Sequence, residues 1–249
     1  MKRLPPFHWW RTVFFLIPAI SLYTIVLGTV SVLSSLFDRR GFFAHGCARA
    51  WSWLILRTTL VRVQAQGIER LTPGRTYIFV SNHQSIYDIP ILFATLPFQL
   101  RIIAKQSLGR FPFLGWHLQR TGHLLVDRRN PDRSRIFKQW SELVSKGLSL
   151  IVFPEGTRSA DGRVARFKGG SFLLAIQVGL PIVPVAVRGS RHVMQKGRLR
   201  VNPGHVELVV REPIETAGRY EPTVRDAKRL ADDVRAEILQ VVEGERAPQ

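Results

Sequence analysis

The chain has 249 residues, 45% of them hydrophobic and 22% charged, which is ample for a packed core and excludes wholesale disorder. Thirty-six Lys and Arg against 18 Asp and Glu leave a formal charge of +18, a balance that calls for anionic partners such as phospholipid headgroups, phosphorylated small molecules or nucleic acid. The single cysteine, Cys47, excludes an intrachain disulfide framework and a cysteine-based metal site.

Residues 12–37 form an uncharged run of 26. As a helix it would reach roughly 39 Å at about 1.5 Å per residue, enough to cross or dip into a bilayer. A cleaved signal would carry a shorter apolar core and a small-residue cleavage site, and no convincing A-x-A site follows residue 37. Lys2, Arg3 and Arg11 precede the run, while Arg39, Arg40, Arg49, Arg57 and Arg62 follow it. Positive charge on both sides leaves a single span and a re-entrant hairpin equally open, and Pro18 and Gly28 would permit a bend. Residues 42–60 mix Trp51, Trp53, Leu54 and Leu56 with Arg49 and Arg57, the pattern of an interfacial helix or of an ordinary packing helix. The expected division is a membrane-associated helical segment over 1–62 and an α/β domain over 63–249.

Beyond Val61 short apolar runs alternate with Gly, Pro and polar clusters. Residues 77–80, 101–104, 123–126, 148–153, 182–187 and 206–210 read as strands. Residues 136–144, with Ile136, Trp140, Leu143 and Val144 on one face, and residues 171–178 read as helices. Thr223 followed by Asp226 makes a capping-box-like start, and Val224, Ala227, Leu230, Ala231, Val234 and Ile238 then recur at helical spacing to about Val242. Strands alternating with helices predict an α/β fold whose sheet is mixed, mostly parallel and covered on both faces.

Several chemistries are absent from the pattern. Gly169-Gly170-Ser171-Phe172-Leu173 lacks the last glycine of a serine-hydrolase elbow, and there is no P-loop, no G-x-G-x-x-G after a strand and no H-E-x-x-H. The seven histidines have no metal-like i, i+4 pair. Two polar segments directly follow apolar strands, where open α/β sheets place their sites. In residues 81–90, His83 and Asp88 are spaced so that the carboxylate can fold back onto one imidazole nitrogen. That pairing, without a nucleophilic Ser or Cys, suits general-base activation of a substrate hydroxyl; a turn histidine followed by a helix N-cap gives the same pattern. In residues 153–159, Phe153-Pro154-Glu155-Gly156-Thr157-Arg158-Ser159, a glycine with Arg and hydroxyl donors can wrap an anion or simply form a surface turn.

His83-Gln84-Ser85-Ile86-Tyr87-Asp88 fits H-x-x-x-x-D, and residues 153–159 read F-P-E-G-T-R-S. Together they resemble the glycerolipid acyltransferase family, specifically its 1-acyl-glycerol-3-phosphate acyltransferases. Ala104-Lys105 with Phe111-Pro112-Phe113-Leu114-Gly115 and the block 122–128 resemble the family's second motif, and residues 180–187 its fourth, so the likeness covers about residues 75–190 in order.

The resemblance implies a glycerol-3-phosphate acyltransferase-like fold. It also implies transfer of a fatty acyl group from acyl-CoA or acyl-carrier protein to the sn-2 hydroxyl of lysophosphatidic acid, giving phosphatidic acid. His83 would be the general base and Asp88 its orienting partner. Arg158 and Lys105 would bind the phosphate, Glu155 would orient Arg158 or a substrate hydroxyl, and Gly156 and Thr157 would let backbone and hydroxyl approach the ligand. Arg128 and Arg129 stand between phosphate ligation and headgroup contact, and the strand 182–187 between lining the acyl channel and simple burial.

No metal or cofactor is implied beyond the thioester co-substrate, and nucleic acid is not an expected partner. Membrane phospholipid is, with the site at the cytoplasmic face of a bacterial inner membrane. The same chemistry on another acceptor (glycerol-3-phosphate, a lyso-ornithine lipid or another lysophospholipid) is the alternative.

Overall fold

In the computed structural model, which describes residues 7–38, 40–127 and 132–244, the apolar N-terminal run is one helical stretch of 28 residues, Phe7–Ser34. Lys2, Arg3, Arg39, Arg128 and Arg129 lie outside the described residues. The stretch comprises α1 (Phe7–Arg11), a π-helical turn (Thr12–Leu16) and α2 (Ile17–Ser34). Pro18 has no N–H to donate back along the helix, and the ladder widens just before it. Neither Pro18 nor Gly28 turns the chain within the run. Gly28 answers a different need, because a Cβ there would come within 2.9 Å of the Phe113 side chain. The chain reverses after Ser34, and α3 (Phe42–Thr58) packs back on α2, with Trp51 Nε1 donating to Thr24 Oγ1 at 3.0 Å. The outer side of the hairpin leaves Phe14, Phe15, Leu22, Ile25, Val26 and Leu33 exposed. Contiguous exposed apolar surface of this kind suits lipid better than water.

The sheet has seven strands in the order β1-β7-β6-β2-β5-β3-β4. They are β1 (Val61–Gln66), β2 (Ile78–Ser81), β3 (Leu100–Lys105), β4 (Leu124–Val126), β5 (Ser149–Val152), β6 (Ile182–Arg188) and β7 (Gly204–Val210). Every pairing is parallel except β6 with β7. The expected mixed, mostly parallel α/β sheet is therefore present. Central strands β2 and β5 are buried at every position, which is why they read as unbroken apolar runs.

One face of the sheet packs Phe79, Val183 and Val185 against Ile55 and Leu56 of α3 and against Ile91 and Leu92 of α4 (Asp88–Thr95). The other face is covered by α6 (Arg133–Ser145), α7 (Gly170–Val178) and α9 (Val224–Glu243), through Trp140, Phe172, Leu230 and Val234. Thr223 caps α9 as expected, accepting from the Asp226 N–H at 3.2 Å.

Four strands or α-helices go beyond the sequence expectation: β1, α4, α5 (Leu114–Arg120) and the one-turn α8 (Ser190–Val193). The β1 sequence Val61-Arg62-Val63-Gln64-Ala65-Gln66 lies at the edge of the sheet with only Val61 buried, so it lacks a strong apolar signal. His123 lies just outside β4.

Candidate active site

Strands β2 and β5 are parallel neighbours, with Val80 opposite Val152, so the loops leaving their carboxyl ends emerge side by side. On the other flank of β2, Asn82 extends the ladder past the strand end. Its side chain accepts from the Val187 N–H at 2.8 Å and donates to the Val187 carbonyl at 2.9 Å. The backbone is thereby fixed one residue before His83.

His83 Nδ1 lies 2.9 Å from Asp88 Oδ2. The same oxygen accepts the backbone N–H groups of Gln84 at 2.8 Å and Ser85 at 2.9 Å. Asp88 is fully buried and is the first residue of α4, so its carboxylate closes the preceding turn onto the histidine. A carboxylate only accepts, so Nδ1 carries the proton and Nε2 presents its lone pair. The imidazole stacks on Phe153 with ring centroids 4.1 Å apart and planes 21° apart. One hydrogen bond and one ring stack thus set the orientation of the imidazole, and the residue as a whole is only 9% exposed.

The second loop is stitched to the first. Glu155 accepts the His83 N–H at 2.7 Å through Oε1 and the Ala165 N–H at 3.1 Å through Oε2, and Ser159 N–H donates to the His83 carbonyl at 2.7 Å. Each Glu155 oxygen thus accepts one backbone N–H, and the side chain braces His83; among the described residues it forms no ion pair with Arg158. Burial pushes the Glu155 carboxyl above its ordinary value, opposed by its two backbone donors. Glu155→Gln would set an amide N–H against one of those donors. It should cost about 1.5–3 kcal/mol and reduce turnover; a variant melting and turning over like wild type would remove this bracing role.

Gly156 has φ +73°, and a Cβ there would lie 2.9 Å from Lys168 Nζ. Lys196 Nζ donates to Thr157 Oγ1 at 3.1 Å and to the Arg158 carbonyl at 2.9 Å. Lys168 and Lys196 were not singled out from the sequence. They arrive from separate loops with no local motif, and only folding sets them against residues 156–158. The Arg158 guanidinium is half-buried and has no acidic partner among the described residues. Lys105 is exposed at the carboxyl end of β3, beside β5, on the same edge of the sheet. Among the described residues it has no hydrogen bond or ion pair to the other candidates. His83, Asp88, Glu155, Gly156, Thr157 and Arg158 are brought together; Lys105 shares their edge only.

Behind the dyad loop lies a cavity of about 170 Å³ between the N-terminal hairpin and the sheet. Leu27 and Trp51 wall it on the hairpin side, and Ile86, Ile89 and Phe93 on the side of the dyad loop and α4. Its lining is almost wholly apolar, and none of residues 182–187 reaches it, so that strand is buried core. Among the described residues no three His, Cys, Asp or Glu side chains are placed to hold a metal ion.

An oriented base, a loop where Arg158, Lys168 and Lys196 gather, and an apolar cavity together suit proton removal from a hydroxyl on an anionic, lipid-like molecule. Comparison with known proteins agrees in kind. A family model described as Acyltransferase matches residues 62–188. A chloroplastic 1-acyl-sn-glycerol-3-phosphate acyltransferase of Brassica napus is 37% identical over 184 residues, covering 72% of this chain and 53% of that protein. The human 1-acyl-sn-glycerol-3-phosphate acyltransferase alpha is 33% identical over 183 residues, covering 73% and 64%. The chain thus spans about half to two-thirds of the length of these curated relatives. The crystal structure of the 1-acyl-sn-glycerophosphate acyltransferase PlsC from Thermotoga maritima superposes with a TM-score of 0.75 at 27% identity, covering 96% of this chain and 99% of that one.

Proposed function

The chain belongs to the Acyltransferase family, and from that premise we propose that it moves a fatty acyl group from a thioester, acyl-CoA or acyl-carrier protein, to the sn-2 hydroxyl of 1-acyl-glycerol-3-phosphate. The product is phosphatidic acid. The observation that carries the reading is the His83–Asp88 pair, held at 2.9 Å in a loop whose Ile86 walls an apolar cavity, and bonded through the His83 carbonyl to the loop 153–159 that carries Arg158. The names of its relatives supply the acceptor.

In this reading His83 Nε2 takes the proton of the acceptor hydroxyl as that oxygen attacks the thioester carbonyl. Asp88 holds the imidazole in the productive tautomer and stabilises the imidazolium formed. The tetrahedral intermediate collapses to the ester, and the thiolate leaves with the proton returned from His83. No side chain forms an acyl-enzyme. Arg158, Lys105 and the loop at Gly156 and Thr157 receive the acceptor phosphate, while the apolar cavity takes fatty acyl chain. The exposed apolar hairpin holds the protein at a membrane, where both lipid substrates partition. The membrane's lipid headgroups also account for the excess of positive charge.

The test is thiol release by detergent-solubilised protein given oleoyl-CoA and, in separate reactions, lysophosphatidic acid, glycerol-3-phosphate and a lyso-ornithine lipid. Release with lysophosphatidic acid alone is expected. Release confined to another acceptor would move the headgroup assignment, and silence with both acyl-CoA and acyl-carrier protein would overturn the reading. Arg158→Ala should raise the acceptor KM about 10- to 100-fold, the loss of one charge-assisted contact. An unchanged acceptor KM with a large fall in kcat would remove Arg158 from the phosphate site.

A further inference from the structure

The segment following α8 (Ser190–Val193) is bonded to both loops of the candidate site and to the start of the N-terminal helical stretch. The Met194 carbonyl accepts from Ser85 Oγ in the dyad loop at 2.7 Å. Lys196 holds Thr157 and the Arg158 carbonyl in the second loop. The Val201 carbonyl accepts from the Arg11 guanidinium at the start of the apolar helix. Its shape is fixed by local bonds: Asn202 N–H donates to the Val193 carbonyl at 2.8 Å, and Arg200 Nε donates to Asn202 Oδ1 at 2.8 Å.

At the tip of this strap Leu199 is 60% exposed, between the exposed side chains of Arg198 and Arg200. Nothing in the α/β domain's packing explains an apolar side chain held out there. No acidic residue occurs between 189 and 206, although Arg191, Lys196, Arg198 and Arg200 all do. Next to Arg11, Trp10 and Phe14 are also exposed, so the strap continues the apolar N-terminal surface through the Arg11–Val201 bond. An apolar tip flanked by guanidinium groups, continuous with an aromatic-rich helix, matches the headgroup region of an anionic bilayer: acyl chains for Leu199, phosphates for the arginines.

We propose that residues 194–201 form a second membrane contact, in which Leu199 enters an anionic phospholipid surface while Arg198 and Arg200 pair with its phosphates. The hairpin attaches the protein; the strap sets its tilt. Because the strap is bonded to both site loops, its contact brings the His83 loop to headgroup depth, where the lipid acceptor of the proposed function would lie. The membrane contact itself does not depend on which acceptor is used.

The experiment places an environment-sensitive nitrobenzoxadiazole label on single cysteines in a Cys47→Ala background. Labelled Leu199→Cys, Val26→Cys and Lys228→Cys proteins are reconstituted into nanodiscs of phosphatidylcholine and phosphatidylglycerol. Val26 is on the outer side of α2, and Lys228 is exposed on α9, across the sheet. The expected result is shorter-wavelength emission and quenching by lipid-borne doxyl groups at positions 199 and 26, with water-like emission at 228. Replacing both Arg198 and Arg200 by Gln should move the 199 probe back toward water-like emission. Emission at 199 matching that at 228, while 26 is quenched, overturns the strap contact and leaves the membrane reading intact. Water-like emission at 26 as well overturns membrane attachment itself. A 199 probe that responds to an acidic carrier protein in detergent but not to the bilayer would reassign the strap to a protein partner.

Discussion

His83→Ala is expected to lower kcat by about 10²- to 10⁴-fold with little change in the acceptor KM, since a proton acceptor contributes in the transition state and hardly at all to ground-state binding. The fold should survive. The lost contacts are one hydrogen bond to Asp88 and one ring stack on Phe153, worth about 1–2 kcal/mol together. Asp88 keeps its two backbone donors, from Gln84 and Ser85, so it is not left bare in the interior. Asp88→Asn should be nearly as slow for a different reason. An amide can turn its oxygen toward the two backbone N–H groups or its nitrogen toward the imidazole, and in the second case it donates to Nδ1 and moves the ring proton to Nε2. The base is then blunted without being removed. Initial rates at saturating acyl-CoA over a range of lysophosphatidic acid, with a thermal melt of each variant, would check both. A His83→Ala protein turning over within a factor of two or three of wild type would place the base elsewhere.

What made the dyad readable beforehand is that both partners lie in one short turn after a strand, so their meeting needs only local chain geometry. The strands of the parallel core were readable for a similar reason: Ile78–Ser81 and Ser149–Val152 are buried on both faces and show continuous apolar sequence. Legibility failed wherever the deciding neighbour came from far along the chain. Glu155 stood out as a motif residue, but its partner His83 appears only once β2 and β5 are adjacent. Lys168 and Lys196 carry no pattern of their own and acquire meaning from the loop that they reach. β1 was hidden because an edge strand with one buried residue has little hydrophobic signal to show.

The same limit hid a second group, His45, His117 and His123, which come from α3, α5 and the entry to β4 and meet beneath the N-terminal hairpin. Acid should therefore destabilise this protein steeply. Burial first, and then the nearby positive charge of Arg101, pull the His45 pKa to about 3 and the His117 pKa to about 4. Burial also holds His123 well below the ordinary value, with His117 and Arg101 adding to the effect. Arg101 is itself 1% exposed, its guanidinium spent on the carbonyls of Leu100, Arg40 and Gly41, so it pins the hairpin turn to β3.

All three imidazoles are neutral in the folded state, whereas in the unfolded chain they protonate near pH 6.5. The unfolded state then binds more protons, and the stabilisation present above pH 6.5 is lost as pH falls toward 4 and below. Each histidine contributes a slope of about 1.4 kcal/mol per pH unit, and three give about 4. Glu155, shifted upward, works in the opposite sense, but as one carboxyl against three imidazoles. Unfolding followed at pH 8, 6.5, 5.5 and 4.5 should show a stability plateau and then a fall. His45→Phe sharpens the test, because both His45 nitrogens are buried without hydrogen-bond partners in a ring stacked on Phe93. The variant should be at least as stable at pH 8, and its acid slope should drop from about three protons toward two. A flat profile from pH 8 to 4.5, or a slope that His45→Phe leaves unchanged, would show that the cluster is protonated or hydrated in the folded protein. The hairpin would then be docked by Arg101 and apolar contacts alone.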